Sequence, residues 1–237
     1  MKPDLTLVAI ASFALVSLAC SRSAPVGEVP AIDEAFRGRL EAAAKGHRAM
    51  GRVDDLARWA PELCMAPPPP SARFSASADA STHGSKIYSV YAKDRRAYVG
   101  LSNPAEAKWR KTPPTEVAGL EDCSQVVVKE AFAPVPWKAP ESAEGSARTK
   151  GPRYAADAHG LHPVERDGQA FSSGEPKGLF VMLRVDPKTP NTDDGWVYGT
   201  ISADGKVTGC GRMASCMSCH VTSPHGRLFG LPPAKDE

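Results

Sequence analysis

The stretch Gln125-Val-Val-Val-Lys-Glu-Ala-Phe132 decides the predicted fold, because its β-branched and apolar residues give the strongest strand signal in the chain. Four other stretches carry a similar signal: residues 86–93, 97–101, 178–185 and 196–202. Turn-forming residues separate them at positions 94–96 and 191–195. Strands joined by turns, with helices at both ends, predict an α+β domain with a mainly antiparallel sheet.

Helices are predicted before and after these strands. Apolar residues recur at helical spacing through residues 31–60, and we expect Gly46 and Gly51 to divide this region into two helices. A short helix is expected from Ala214 onward. Residues 133–177 are rich in Pro, Gly, Ser and charge, which predicts long surface loops.

The N-terminus has the features of an export signal. A basic start precedes an apolar run from Leu5 to Leu18, which is too short to span a bilayer. The end of the run resembles a lipobox, so we expect residues 1–19 to be removed and Cys20 to carry a lipid. Cleavage without lipidation, which gives a soluble product, is the alternative. Either route leads to the bacterial periplasm, with the lipid anchor as the one expected membrane attachment.

The rest of the chain is expected to hold a tether, a helical segment and one larger domain. The tether covers residues 20–30, the N-terminal helical segment residues 31–66, and the domain residues 72–237. Lys and Arg number 29 against 27 Asp and Glu, which gives a net charge of +2. This balance does not indicate nucleic acid as a partner.

The six cysteines need separate explanations. Cys20 belongs to the export signal. Cys64, Cys123 and Cys210 can form one disulfide in an oxidising compartment and leave one thiol. Three pairings are possible, and the sequence does not choose among them.

The two remaining cysteines lie in the motif Cys216-Met-Ser-Cys-His220, which is typical of covalent c-type haem attachment. Two thiols about one helical turn apart reach the two vinyl groups of haem, and the adjacent histidine reaches the iron. Export supports this interpretation, since c-type haem is attached outside the cytoplasm. We therefore expect one covalent haem c, bound by Cys216 and Cys219, with His220 as the axial iron ligand.

Two other interpretations use the same residues. A zinc ion could be held by Cys216, Cys219 and His220, with Cys210 or His225 as the fourth ligand. A thioredoxin-like redox pair would need a βαβ context, which the strand pattern does not predict. For haem, no residue is a convincing sixth ligand, so we expect an open site on the distal side of the iron.

Several further segments follow one another in a characteristic order. They are Gly178-Leu-Phe-Val-Met-Leu-Arg184, Gly195-Trp-Val-Tyr-Gly-Thr200, Gly211-Arg-Met-Ala-Ser-Cys-Met-Ser-Cys-His220 and Arg227-Leu-Phe-Gly230, with His83-Gly84 and Val126-Val-Val-Lys-Glu130 upstream. This combination resembles the cytochrome P-460 family and its relatives, the beta-type cytochromes c′, over residues 80–231. The resemblance implies a mainly antiparallel β fold around one high-spin haem, usually in a homodimer.

The resemblance also implies a role for Lys129. In the true P-460 enzymes, a lysine in the Val-Lys-Glu strand is bonded to the haem ring, and Lys129 matches it. Strand alternation places Lys129 on one face with Val127 and Ala131, and an amine held among apolar groups is a good nucleophile. A lysine that merely protects a sheet edge is the alternative.

On the distal side, the sequence departs from the enzyme pattern. Hydroxylamine-oxidising members of the family place a carboxylate over the iron, where it can relay protons, and Phe180 stands at the matching position. A phenyl ring cannot accept a proton, and it favours small, uncharged ligands. The alternative is that Phe180 is simply a core aromatic residue.

These features lead to three expected functions. The first is a periplasmic cytochrome that binds a small diatomic or nitrogenous ligand such as nitric oxide. The second is a P-460-type oxidoreductase that oxidises hydroxylamine, with a base elsewhere, such as Asp157, His159 or Glu165. The third is an electron carrier with a redox partner, which would require a sixth iron ligand.

Overall fold

The structure is a computed structural model of the chain, and it describes residues 32–60, 84–109, 112–138 and 154–231. The predicted export signal, the lipidation site Cys20, the tether and Cys64 lie outside these residues. Among the described residues, no helix is both long enough and apolar enough to cross a membrane.

The described chain folds into one mainly antiparallel sheet with helices before, between and after its strands. The helices are α1 (Glu34–Met50), α2 (Arg95–Gly100), α3 (Pro104–Trp109) and α4 (Ala214–His220). The strands are β1 (Arg58–Trp59), β2 (Ile87–Ala92), β3 (Gln125–Pro136), β4 (Val164–Arg166), β5 (Gln169–Arg184), β6 (Trp196–Ile201) and β7 (Val207–Gly211). The predicted α+β fold with a mainly antiparallel sheet is confirmed.

The strand β3 lies in the middle of the sheet, as its apolar sequence predicts. The strand order is β1-β2-β3-β5-β6-β7, and β4 pairs with β5 at one side. Neighbouring strands run antiparallel throughout. Because side chains alternate along a strand, β3 contributes apolar groups to two separate cores. Val126 and Val128 face one core, and Val127 faces the other.

The helix α1 covers one face of the sheet. Asp33 begins it by accepting a hydrogen bond from the Ala35 backbone amide, and Gly51 ends it with a φ of 75°. Phe36 and Leu40 lie on its buried side and pack into the same core as Val126 and Val128. The helix α4 packs on the opposite face, where Met213 and Met217 join the core that contains Val127.

One of the two helices predicted for residues 31–60 is wrong. Gly46 lies inside α1, and residues 52–60 form no helix. The backbone of this segment instead pairs with strand β2 and with a nearby loop. The Val53 amide donates a hydrogen bond to the Val90 carbonyl, and the Ala57 amide donates one to the His162 carbonyl. Long-range backbone pairing overrides the weak helical spacing of this segment.

The strand predicted at residues 97–101 is also wrong, because α2 occupies this region. The Asp94 side chain accepts a hydrogen bond from the Ala97 backbone amide and thereby caps the helix. Tyr98 and Val99 are buried on this short helix rather than on a strand. The three-residue sequence that was expected to form a turn therefore begins a helix.

The loops predicted for residues 133–177 are partly wrong as well. The strand β3 runs on to Pro136, and β5 already begins at Gln169. Two register shifts, between Ala131 and Phe132 and between Phe132 and Pro134, interrupt the pairing of β3 with β5. Bulges of this kind let a proline-containing strand stay paired where a regular ladder would need the missing amide.

Candidate functional site

The motif cysteines and histidine lie on α4, where a short helix was predicted. Cys216 and Cys219 are three residues apart on this helix and are therefore neighbours on its surface. Met217 between them is 1% exposed and anchors the helix in the core, whereas Cys216, Cys219 and His220 are half-buried. The helix thus presents the two sulfur atoms about one turn apart, as haem attachment requires.

The ring of His220 is held in one orientation by the chain that follows the helix. Its Nδ1 atom lies 2.6 Å from the carbonyl oxygen of Arg227. Since a carbonyl can only accept a hydrogen bond, Nδ1 must carry the proton and Nε2 keeps its lone pair. Burial lowers the pKa of His220 to about 4, and the positive charge of Lys129 acts in the same direction. A neutral imidazole with a free Nε2 lone pair is the form that binds a metal.

The Arg227 carbonyl is itself fixed by a partly buried ion pair. Two nitrogens of the Arg227 guanidinium donate to the Asp193 carboxylate, at 2.7 and 2.9 Å, and the Tyr198 hydroxyl donates to the same carboxylate at 2.8 Å. Burial alone would raise the pKa of Asp193, but the hydrogen bonds from Arg227 and Tyr198 lower it overall. The backbone of Arg227 has a φ of 79°, a left-handed conformation that is costly for a residue with a side chain. These contacts hold it there.

Lys129 and Phe180 lie on the same face of the sheet as α4. They are directly paired across β3 and β5, so their side chains leave the sheet on the same side. Val127, two residues before Lys129, packs in the core that also contains Cys216. The positive charge of Lys129 acts on both Cys216 and His220, which places the amine near the motif. The structure therefore brings the four predicted site residues Lys129, Phe180, Cys216 and His220 to one region.

This region is the place where the middle of the sheet is not fully covered. Within residues 125–132, Lys129 is the one residue that is not buried, and in β2 the same is true of Tyr88. Phe180 is also half-buried, between the buried Gly178 and Val181. Beside the motif, the ring of Phe229 lies 5.3 Å from that of His220 and is 45% exposed. Lys129, Tyr88, Phe180 and Phe229 thus leave part of their surface accessible on the face that carries α4.

Two residues of this region were missed by the sequence analysis. The Lys86 amine lies 4.5 Å from the centre of the Phe180 ring, and the Lys129 amine lies 4.9 Å from the centre of the Tyr88 ring. Each contact is a cation–π interaction between a lysine and an aromatic ring. Strand alternation in β2 could have placed Tyr88 on one face, but nothing in the sequence indicates which strand β2 pairs with.

The thiols of the chain are in different states. Cys216 is a free thiol, and burial raises its pKa to about 12, against the effect of the Lys129 charge. Cys219 forms a disulfide. A sulfur atom in a disulfide cannot also form a thioether to haem, so the two bonds exclude one another. Cys123 and Cys210 are buried and form no disulfide, and therefore none of the three disulfide pairings considered above is formed.

The alternatives considered from the sequence are not assembled at this site. Within the described part of the chain, no three His, Cys, Asp or Glu side chains converge as a zinc site requires. Asp157 accepts backbone hydrogen bonds from His159, Leu161 and Ser173, which makes it an organiser of its own loop. Glu165 accepts a hydrogen bond from the Tyr154 hydroxyl. These contacts lie away from α4 and do not place a base beside His220.

Compared with known proteins, the chain matches no family model, and no curated protein matches it at a significant level. The resemblance to the cytochrome P-460 family thus depends on the residues of this chain alone.

Proposed function

We propose that this chain is an exported mono-haem cytochrome c that binds small, uncharged ligands such as nitric oxide on the open side of its iron. The observation that carries the proposal is the state of His220. The lowered pKa of His220 favours the neutral ring, and its Nδ1 donates a hydrogen bond to the Arg227 carbonyl. The lone pair on Nε2 therefore remains for a metal. His220 directly follows Cys219 and lies one helical turn from Cys216, and both cysteines are half-buried. Covalent haem attachment needs two such thiols and an adjacent histidine.

The residues around the motif have separate roles in this proposal. Cys216 and Cys219 would hold the haem once the Cys219 disulfide is reduced, and His220 would bind its iron. A bound haem supplies an iron centre that takes up small ligands. Phe180 and Tyr88 exclude water from the face of the sheet, and Phe180 offers no group that accepts a proton. The amine of Lys129 provides a positive charge that acts on Cys216 and His220.

Covalent attachment is tested by producing the protein with a working cytochrome c maturation system. We expect the haem to stay with the protein during acid-acetone extraction, and the variants Cys216→Ala and Cys219→Ala to lose haem partly or completely. Cys123→Ala is the matched control, because Cys123 is a buried thiol outside the motif. Extractable haem in the wild type, or an intact Cys219 disulfide in the mature protein by peptide mapping, would refute the proposal.

Ligand binding is tested on the purified ferric and ferrous protein. Electron paramagnetic resonance of the ferric form should show a high-spin, five-coordinate iron, and nitric oxide should bind to the ferrous form. A low-spin spectrum would mean that a side chain occupies the sixth position. That result would favour the electron-carrier interpretation instead.

The placement of Lys129 supports a second candidate, an oxidoreductase that acts on hydroxylamine. Lys129 lies on the face that carries the motif, and its charge acts on both Cys216 and His220. A bond between this amine and the haem ring would be visible as an added mass on the peptide that contains residue 129. A peptide of unmodified mass, together with absent hydroxylamine turnover, would exclude this candidate and leave the ligand-binding proposal in place.

A further inference from the structure

A cavity lies on the opposite face of the sheet from α4. Its volume is about 600 Å³, which is within the usual range for a small-molecule pocket. Three arginines line it, Arg48, Arg52 and Arg95. Two carboxylates, those of Asp55 and Glu130, lie in the same wall. The cavity thus contains one more guanidinium group than carboxylate.

Two of the three arginines already have carboxylate partners. Arg48 donates a hydrogen bond to Glu130 at 2.8 Å. Arg52 lies 3.2 Å from Asp55, and it also donates to the carbonyl of His159 at 3.0 Å. Within the described residues, the Arg95 guanidinium has no hydrogen bond and no ion pair. The surplus positive charge of the cavity therefore resides on Arg95.

Glu130 cannot serve as the missing partner of Arg95. Besides Arg48, its carboxylate accepts a hydrogen bond from the Tyr91 hydroxyl at 2.9 Å. Its side chain is 8% exposed, so it has little freedom to turn toward another cation. The Arg95 guanidinium can therefore pair with an anion from outside the protein. A planar carboxylate matches the guanidinium because it can accept two parallel hydrogen bonds from it.

Glycines in the neighbouring backbone leave room for the arginine side chains of the cavity. Gly51 has a φ of 75°, and a Cβ atom at this position would lie 2.8 Å from a terminal nitrogen of Arg95. Gly160 in the same way leaves room for Arg52, whose terminal nitrogen would lie 3.0 Å from an added Cβ. Two glycines thus leave space for two guanidinium groups at the cavity wall.

Beside these charged groups and His159, a smaller part of the cavity wall is apolar or aromatic and includes Phe132, Leu161 and Tyr91. Phe132 and Leu161 are each 1% exposed, and Tyr91 is 7% exposed. The volume exceeds what a bare inorganic ion would fill. A ligand with one carboxylate and an apolar body therefore matches both the single surplus charge and the apolar part of the wall.

We propose that this cavity binds a small organic monocarboxylate, with its carboxylate on Arg95 and its apolar body against Phe132 and Leu161. This site is separate from the one on α4, and it does not depend on haem attachment. Charge-assisted hydrogen bonds to a single guanidinium are worth about a 10- to 100-fold change in affinity. Removing Arg95 should therefore weaken binding by at least about tenfold.

The test is calorimetric titration of the mature protein with benzoate, compared with benzamide as the neutral isostere. We expect benzoate to bind to the wild type and benzamide not to bind. Arg95→Gln should lose at least about tenfold in affinity. Arg96→Gln should bind as the wild type does, because Arg96 is the exposed neighbour of Arg95 and does not line the cavity.

The haem absorption spectrum is recorded during the same titration. It separates binding in the cavity from an anion that binds to the iron, since only the latter changes the spectrum. Absence of benzoate binding to the wild type would overturn the proposal. Equal benzoate affinity in Arg95→Gln and the wild type would do the same, whatever the spectrum shows.

Discussion

At the scale of single residues, the state of His220 depends on a contact that begins far away in the sequence. Asp193 fixes the guanidinium of Arg227, and the carbonyl of Arg227 in turn fixes the Nδ1 atom of His220. Hydrogen bonds of this kind orient a metal-binding histidine and set its strength as a ligand. Asp193 thus acts on the motif without touching it.

The first prediction concerns the substitution Asp193→Asn, which keeps the shape of the side chain and removes its charge. Removing one partner of a fully buried ion pair costs about 3–5 kcal/mol. Arg227 is one quarter exposed, with a side-chain exposure of 25%, so we expect a smaller loss of about 2 kcal/mol. Urea unfolding measures this loss. If the protein binds haem as proposed, resonance Raman spectroscopy should show an altered iron–histidine band, because the Arg227 carbonyl is no longer held in place.

Asp194→Asn is the control for this prediction. Asp194 is the exposed neighbour of Asp193, and asparagine tolerates its left-handed φ of 52°. Its stability and its spectrum should stay close to those of the wild type. If both variants changed the stability and the spectrum equally, Asp193 would have no special connection to His220.

The second prediction concerns Phe180. The substitution Phe180→Glu places a proton acceptor directly opposite Lys129 in the sheet. Because general-base assistance typically contributes about 10²- to 10⁴-fold to a rate, the variant should oxidise hydroxylamine faster than the wild type, whose turnover we expect to be slow or absent. Steady-state assays with an artificial electron acceptor measure this. Phe180→Gln is the control, since it is polar and similar in size but cannot act as a base.

Rapid hydroxylamine oxidation by the unmodified protein would contradict the second prediction. It would mean that a base other than a residue at position 180 serves the site. An equal gain in Phe180→Gln and Phe180→Glu would show instead that removing the ring, and not adding a base, opens the site.

Residue patterns predicted the motif but not the groups that support it. The spacing of Cys216, Cys219 and His220 is local, so it is visible in the sequence itself. The pair of Asp193 and Arg227 spans 34 residues, and charged residues at that separation are too common to indicate a contact. The cation–π contact of Lys86 with Phe180 likewise requires the pairing of β2, β3 and β5 to be known.

At the scale of whole elements, the pattern of apolar residues predicted the central strands correctly. It failed where a helix cap or a long-range backbone contact determines the secondary structure. The strand β3 is apolar on both faces and was recognised directly. The cap of α2 by Asp94 turned a predicted strand into a helix. The strand β7 was missed, because two glycines and a polar threonine among its five residues weaken any strand signal.

The third prediction uses two glycines in α1. Nothing lies within 4 Å of a Cβ atom added at the exposed Gly38, whereas a Cβ at Gly46 would lie 2.4 Å from a methyl group of the buried Val117. We expect Gly38→Ala to stabilise the protein by about 0.5–1 kcal/mol, because alanine is the better helix former. Gly46→Ala should destabilise it by about 1–3 kcal/mol, the usual cost of overpacking.

Urea unfolding of both variants measures the two effects. The substitution and the helix are the same, so the intrinsic preference for helix cancels in the comparison. A stabilising Gly46→Ala would mean that the segment holding Val117 moves away easily. In that case the close packing of α1 against this segment contributes little to the stability of the fold.

At the scale of the whole molecule, the sheet separates the two proposed sites. Lys129 and Glu130 are neighbours in β3, and alternation sends them to opposite faces. Lys129 lies on the face that carries α4, and Glu130 lies on the face covered by α1, in the wall of the arginine-lined cavity. One strand therefore supplies an ionisable group to each site while its valines form the two cores.

The fourth prediction concerns Glu130 and acid stability. Burial alone would raise the pKa of Glu130, but the nearby His47 ring and the hydrogen bonds from Arg48 and Tyr91 lower it to about 2, from an ordinary value of 4.5. A carboxyl group with a lowered pKa in the folded state stabilises the protein above its unfolded pKa. This contribution, about 3 kcal/mol at neutral pH, is lost as the pH falls from about 4.5 toward 2.

The substitution Glu130→Gln isolates this contribution. The unfolding free energies of the wild type and the variant, measured in urea at pH 6, 4 and 3, should differ most at pH 6 and converge as the pH falls. Glu41→Gln is the control, because Glu41 lies on the exposed side of α1 and should give a small, nearly constant difference. If the difference for Glu130→Gln were independent of pH, Glu130 would contribute through its shape and not its charge. The buried carboxylate would then act as a packing element of the face covered by α1.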